Sequence, residues 1–389
     1  MLEDLTPAPK IKPPQGFEPA LVMDGESGEA TLPPLRDDEK PDFDKFLVDA
    51  GFDPNLYEVL GEPRTSRWQV ARPFPLEPMW LTAYKFRFRK KTNPILDLPT
   101  LYAEVKKTRK PVIKQTDSGS VLILCLSDFQ VGKVDQRGGT KELIDRVMGS
   151  YERIEQFLKK NKFERIYVVD LGDIIEGFEN AASAQQLQSN DLSLMQQVDL
   201  AAALVWDCLK MVTKYAPVTY ASVASNHCQW RVSKQQVGRP GVDDWGIVIL
   251  QQLRRLAKEV GLPVEFLIPQ PHDETFAFDV FGDGFHIVGA AHGHQANRPE
   301  NVVGWWKNSV FGHQAVAAAT VLITAHFHHL RVVECGESQN GGSRFWIQTT
   351  TSDNGSGWFR RTSGEDSMPG MTAFVLEKGK HFLGSVIRF

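Results

Sequence analysis

Five short apolar runs, each stopping at a residue type that can bind a metal, constrain this chain more than any other feature. The first is Val121-Leu-Ile-Leu-Cys-Leu126, which breaks off at Ser127-Asp128 and continues through Gln130 to Lys133. A run that short and that apolar reads as a strand buried on both faces. A carboxylate where such a strand ends sits at the mouth of the sheet, where open α/β folds hold their ligands. The second run, Arg165 to Leu171, delivers Gly172-Asp173, with Glu176 three residues on. The third, Val218 to Ala224, delivers Asn226-His227. Ala291-His292-Gly293-His294 closes a strand over 285–291, and Ala325-His326-Phe327-His328-His329 follows the strand Val321 to Ala325. Singly, each has an ordinary explanation in turn or capping chemistry. Five such groups at one sheet edge point to a metal site. His326 and His328, two apart in a loop, direct two imidazoles to one centre.

The background is that of a soluble globular chain: 389 residues, 42% hydrophobic and 24% charged. A formal net charge of -4 gives no overall footprint for nucleic acid or membrane, so any such binding has to come from a local patch. The four cysteines lie far apart without a CxxC pair, and Cys125 falls inside a core strand, which predicts thiols in a reducing compartment. No stretch approaches the length of a membrane span, and Met1-Leu-Glu-Asp has no signal-peptide character. The expectation is a cytoplasmic protein with no membrane partner.

Residues 1–40, rich in Pro, Asp and Glu, read as a flexible or extended leader. A small module over 41–112 follows, with a short helix around Phe43 to Val48, a second over Asn55 to Leu60, and strands Ser66 to Val70 and Trp80 to Arg89. The second of these strands alternates aromatic and basic residues, so one face carries Lys85, Arg87 and Arg89, extended by Lys90 and Lys91. Two readings stay open: a phosphate-binding strand, or an edge strand whose charges prevent unwanted pairing. Lys106 to Lys114 forms a basic linker.

From 121 onward strands and helices alternate. Helices are predicted over 140–160 with Thr140 as N-cap, 194–214, 242–260 closed by Gly261, and 306–318. Strands at 263–268, 275–281, 330–335, 344–350, 372–377 and 382–388 complete the pattern, which predicts an α/β (α+β) domain over 113–389 with two packed sheets and helices outside. The turn-rich segment 351–371 is long enough to carry a functional role.

The series Asp128-x-Gln130, Gly172-Asp173, Asn226-His227, His292 and His326-x-His328 resembles the calcineurin-like metallophosphoesterase superfamily, over roughly residues 119 to 389. That resemblance implies a four-layer α-β-β-α sandwich and a hydrolase using two divalent metal ions. Carried over residue by residue, it implies that Asp128, Gln130 and His328 bind the first ion. Asp173 bridges the two, and Asn226, His292 and His326 complete the second. His227 matches the catalytic histidine, which stabilises the transition state or protonates the leaving oxygen, with Asn226 and Asp173 beside it. The physical logic is independent of the family. Phosphoesters are anionic, and two cations about 3.5–4 Å apart neutralise their oxygens and orient in-line attack. A histidine that is not a ligand can serve as general acid.

This chain departs from the pattern at Gln130, where the family has His. An amide oxygen is a harder donor than an imidazole, which favours Mn²⁺ or Mg²⁺, with Fe or Zn²⁺ still compatible with the mixed N/O set. Ser225 and Ala325 replace small glycines, Cys228 reads as a spectator thiol, and Glu176, His294 and His329 as supporting groups.

Ser127-Asp128 leading into Val131-Gly132-Lys133 is similar to the Mre11/SbcD-type nuclease branch and to its phage-encoded relatives. The resemblance implies a DNA exo- or endonuclease, with an ATPase partner or a homo-oligomer as the assembly, acting in a host cytoplasm if phage-encoded. Lys133 and Arg231 are the candidate substrate-binding cations; Trp230, Trp305, Trp306, Trp358 and Phe359 are candidate base-stacking groups, with core packing as their alternative. Two other functions remain open: a phosphatase or phosphodiesterase for a small nucleotide or phosphoprotein, and a structural or binding protein with a degenerate site.

Overall fold

Strands buried on both faces need a packed layer on either side, and the larger part of this chain supplies both. The structure, a computed structural model, describes residues 12–24, 27–72, 77–90, 118–178, 190–232, 235–339, 341–357, 360–361, 364 and 366–389. The chain divides into two units, Met1–Pro94 and Ile95–Phe389.

The N-terminal unit is an antiparallel sheet with one short helix. Its elements are β1 (Ala20–Asp24), β2 (Ser27–Thr31), β3 (Leu35–Arg36), α1 (Phe43–Asp49), β4 (Tyr57–Val70) and β5 (Met79–Lys90). The segment expected as a leader thus contributes three strands, because Ala30 and Leu32 bury against Phe86 and Phe88. The expected helix over Asn55 to Leu60 is instead a 3₁₀ turn, Pro54–Leu56, running straight into β4. Val59 joins the aromatic cluster from that strand, and packing overrides the local helical pattern. The edge-strand reading of β5 is corrected too: β5 pairs with β2 and β3 on one side and β4 on the other. Its basic face is partly neutralised, with Lys85 on Glu29 at 2.7 Å and Arg89 on Glu58 at 2.6 Å. Lys91 and the basic linker Lys106 to Lys114 lie outside the described residues.

In the larger unit, β6 (Ser120–Leu126), α2 (Thr140–Lys160), β7 (Arg165–Asp170), α3 (Leu194–Val212), β8 (Val218–Ser222), the small ribbon β9 (Arg231–Val232) and β10 (Gln235–Gln236), α4 (Trp245–Val260) and β11 (Val264–Leu267) come first. Then follow β12 (Thr275–Asp279), β13 (Ile287–Ala291), α5 (Val302–Asn308), β14 (Val321–Thr324), β15 (Arg331–Glu337), β16 (Ser343–Gln348), β17 (Thr372–Glu377) and β18 (Ile387–Arg388). One sheet has the order β11-β8-β7-β6-β17-β18, the other β12-β13-β14-β16-β15. In the first, β6, β7, β8 and β11 run parallel; in the second, β13, β14 and β16 do.

Alternate residues of each strand face opposite layers, so the six residues of the first apolar run serve two cores. Leu122, Leu124 and Leu126 pack under α2, α3 and α4, while Val121, Ile123 and Cys125 face Val288, Ala290 and Ile323 of the second sheet. The outer face of the second sheet is covered by α5 and a 3₁₀ turn, Ala315–Ala318, through Val302, Trp306 and Val316. The result is a four-layer α-β-β-α sandwich.

Several local expectations are corrected. The helix over 306–318 is two pieces, broken at the Ser309 to Gln314 turns. The strand over 382–388 shrinks to Ile387–Arg388. The N-cap of α2 is Gly139, whose N–H donates to Glu142 at 2.8 Å; Thr140 instead donates to Asp191. Asp191 outcompetes local capping because it is brought there by the chain 51 residues on. All four cysteines are free, three of them buried. Among the described residues no helix is long and apolar enough to cross a membrane.

Ile123 is fully buried between the sheets. Ile123→Ala should therefore cost about 2–5 kcal/mol of stability, read from the denaturant midpoint of tryptophan fluorescence. A cost well below that range would mean the two sheets are not packed as described.

Candidate metal centre

Parallel strands all present their carboxyl ends at one edge, and here two such edges meet. Ser127 Oγ donates to Thr350 O at 2.7 Å and Thr351 Oγ1 donates to Asp128 O at 2.8 Å, stitching the end of β6 to the end of β16. His292, after β13, reaches across to donate Nδ1–H to Leu171 O at 2.7 Å, at the end of β7.

The backbone is strained where the side chains converge. Seven described non-glycine residues have positive φ, and Asp128, Gln130, Asp173, His326 and His328 are among them, at 48°, 45°, 49°, 68° and 62°. Such conformations cost free energy and persist only where the surroundings over-determine them. Gly172 is required for the same reason: at φ 93° a Cβ there would lie 2.4 Å from Ser225 Cβ. Without it the turn that aims Asp173 could not close.

Asp173 is buried at the centre. Its Oδ1 accepts the His227 backbone N–H at 2.9 Å and its Oδ2 lies 3.0 Å from His292 Nε2. His326 Nδ1 is 3.2 Å from the same His292 nitrogen. Because the Leu171 carbonyl can only accept, His292 donates its Nδ1–H there and turns Nε2 toward Asp173 and His326. One donor atom each from Asp173, His292 and His326 lie within 4.8 Å of one another. Asn226 Oδ1 is buried without a hydrogen-bond partner. An orphaned buried acceptor one residue from His227, whose N–H holds Asp173, fits a divalent cation, since such buried oxygens otherwise have partners.

On the other side, Asp128 is buried, its Oδ2 accepting the His326 N–H at 3.3 Å and its Oδ1 lying 3.3 Å from His328 Nε2. His328 Nδ1 is 3.6 Å from Asp353 Oδ2. Gln130 is brought to this side, but its Oε1 accepts from Lys133 Nζ at 2.5 Å and is not directed at a cation. Lys133 is buried and paired with Asp353 at 2.6 Å, so the expected substrate contact is an internal ion pair here.

Electrostatics follow from burial and convergence. Burial opposes a charged His227, but the carboxylates of Asp173 and Glu176 overcome it and push the ring up to about 10. Its Nδ1–H is held by Glu176 O at 2.9 Å, leaving Nε2 toward the centre. The Gln130 amide nitrogen, 3.5 Å from that Nε2, is at the outer limit of hydrogen bonding and does not offset two carboxylates. His292 is pushed to about 9, with Asp173 outweighing desolvation, whereas burial and the adjacent His292 charge push His326 down to about 2. Two imidazoles with nitrogens 3.2 Å apart repel if both are charged, so a proton added to one opposes a second on the other. A cation held by Asp173, His292 and His326 would require both rings as neutral donors and so would remove this repulsion.

Other expected groups fall into place around this centre. His294 Nε2 is 3.3 Å from Glu274, which also accepts from Gln295 and Gln229. Arg231, on β9, donates to Gln229 Oε1 at 2.6 Å and so joins that outer network. The His329 carbonyl accepts from Gln348. Burial pushes the Cys228 thiol well above its ordinary value, which leaves it unreactive. Trp306 is core, its Nε1–H donating to Val316 O, and Trp305 packs beside it. Trp230 is 44% exposed and lies on Trp245, ring centroids 5.4 Å apart. Trp358 and Phe359 lie outside the described residues.

Asp353 and Glu274 were not singled out from the sequence. Asp353 follows Gln348, the last residue of β16, by five residues, a signal like the one that marks Asp128 but masked by three threonines and a serine between. Glu274 precedes a strand rather than following one, and nothing in its neighbourhood marks it.

No protein-family model matches the chain and no curated protein matches it. Solved structures do resemble it. One, from Streptococcus pneumoniae TIGR4, is described as a conserved uncharacterized protein and predicted phosphoesterase. It is 11% identical, with 69% of this chain and 97% of that chain covered and a TM-score of 0.25. Another is a purple acid phosphatase from yellow lupin (Lupinus luteus) seeds, also 11% identical, with 92% of this chain and 69% of that chain covered and a TM-score of 0.32. The functional reading rests on the donor geometry described above.

The Lys133–Asp353 pair gives a direct test. Burial would raise the Asp353 pKa, but the Lys133 ammonium and His328 hold it below the usual carboxylate range. A depressed carboxylate stabilises the fold above its unfolded pKa of about 3.9 and loses that contribution as pH falls through the folded value. Asp353→Asn should cost about 3–5 kcal/mol near pH 7. In denaturant titrations the gap to the wild type should narrow below pH 4; a gap independent of pH would contradict the assignment.

Proposed function

We propose that the chain is a phosphoester hydrolase using two divalent metal ions. The observation that carries this is the buried donor set of Asp173, His292 and His326, with the unpartnered buried oxygen of Asn226 next in sequence to a histidine whose N–H holds Asp173. When bound, the ions supply neutralisation of phosphate oxygens and activation of the attacking water. Asp128 and His328 would hold the first ion, Asn226, His292 and His326 the second, and Asp173 would be shared between them. His227 holds a proton at Nε2 for the leaving oxygen. Its ring is fixed by Glu176 O, and its backbone N–H orients Asp173 in turn. Mn²⁺ is the ion the N/O donors favour, with Mg²⁺, Fe and Zn²⁺ as alternatives.

The substrate reading we favour is a phosphodiester in DNA, cleaved in the manner of the Mre11/SbcD-type nucleases. The exposed Trp230, three residues from His227 and next to Arg231, supports it as a platform for a base. A second reading, a small nucleotide or phosphoprotein ester, is favoured by one observation: Lys133, Lys85 and Arg89 are all engaged by carboxylates of the same chain. The Mn²⁺-loaded protein assayed on single- and double-stranded DNA beside a generic aryl phosphodiester separates the two. Turnover of the aryl ester with DNA left intact sinks the nuclease reading.

Two substitutions test the roles. Asp173→Asn and His227→Ala should each lower turnover by about 10²–10⁴-fold, the range for a lost general acid. Only Asp173→Asn should lower metal content, measured by elemental analysis after gel filtration. Equal metal loss in His227→Ala would make that ring a ligand. Chelation by EDTA should abolish turnover and Mn²⁺ should restore it. Wild-type protein with fewer than two ions and no turnover in Mn²⁺ would instead indicate a binding protein with a degenerate site.

A further inference from the structure

The two halves of the centre are not equally built. On one side Asp173, His292 and His326 bring a donor atom each within 4.8 Å of one another, and Asn226, whose neighbour His227 donates its N–H to Asp173, has a buried oxygen without a hydrogen-bond partner. On the opposite side, Gln130 stands where a fourth donor would be, and its oxygen is already committed. A lysine ammonium has only N–H bonds to give, so the Gln130 atom 2.5 Å from Lys133 Nζ must be the carbonyl oxygen. The amide nitrogen then faces inward, 3.5 Å from His227 Nε2, and offers a cation no lone pair.

Nor is the amide free to turn over. Lys133 Nζ is clamped between Gln130 Oε1 and Asp353 Oδ2 at 2.6 Å, in a buried site. Its backbone carbonyl accepts from Asn354 Nδ2 at 2.6 Å. Asp353 in turn is fixed by the Gly355 N–H at 3.0 Å, and Thr351 Oγ1 accepts the Asp353 N–H at 3.0 Å. Turning the amide over would set an N–H against the ammonium and forfeit a charge-assisted bond.

Resting on the two-metal reading above, we infer that Gln130 is not a metal ligand: Lys133 withholds its oxygen, and the Asp128–His328 position binds its ion more weakly than the Asn226–His292–His326 position. With Asp128, His328 and Asp173 as its donors, that position leaves more places for solvent or a phosphate oxygen. This suits a hard ion that keeps several waters.

Metal titration by calorimetry, with Mn²⁺ alone and then Zn²⁺ alone, tests this without recourse to activity. The wild type should show two dissociation constants at least about tenfold apart, the scale on which a lost ligand interaction acts. Gln130→Ala should leave both constants within about twofold, and Gln130→His should tighten the weaker by about tenfold or more. Loss of one ion in Gln130→Ala, or two equal constants in the wild type, overturns the inference and leaves the phosphoesterase reading standing. A wild type that binds no ion overturns both. Should Gln130→Ala not fold, a crystal structure of the Mn²⁺-loaded wild type decides. Gln130 Oε1 beyond about 3 Å from either ion upholds the inference, and a coordination distance of about 2.0–2.2 Å overturns it.

Discussion

A carboxylate sealed from water stays ionised only if positive or hydrogen-donating groups converge on it, and Asp173 is where that condition shapes this protein. It is buried at the seam of two sheets, with the His227 N–H on one oxygen and His292 on the other. Ser225 Oγ accepts the Asp173 N–H at 2.7 Å, and Asp244 accepts the Ser225 N–H in turn at 3.0 Å. The helix α4 therefore begins at the residue that braces the centre, since Asp244 is also its N-cap. Packing, capping and site geometry are one set of contacts.

The buried carboxylates behind this surface are harder to ionise than exposed ones. Burial raises Asp170 to about 6 and Asp244 to about 7 against the hydrogen bonds they accept. Asp170 is held by Gly172 N–H, Ser222 and Tyr220, all within the β7–β8 pair.

Strain is distributed in the same way. Five of the seven described left-handed non-glycine residues, Asp128, Gln130, Asp173, His326 and His328, fall at the site, and the strands leading to it are regular. Parallel strands deliver chain ends to one edge but point side chains up and down the pleat, not outward at a common point. A left-handed residue just past the strand turns the next side chain inward. Two dense apolar cores, one on each face of the first sheet, hold those turns.

Much of this was legible in the sequence, because strand burial and chain order are local properties. The apolar runs, the helices between them and the residue types at their ends were readable from Val121 through His328, and with them the α/β class. The leader strands, the central place of β5 and the short 3₁₀ pieces were not, because each depends on a partner distant in sequence. The same limit applies within the site. Sequence alone determined that carboxylates, an amide and imidazoles stand just past strand ends; that they belong to two sheets whose edges meet was decided by the tertiary structure. Only the tertiary structure decided that Asp353, 220 residues beyond Lys133, would draw that lysine onto the oxygen of Gln130. A lone pair can serve one partner at a time, and which partner arrives is settled by packing across the whole sandwich.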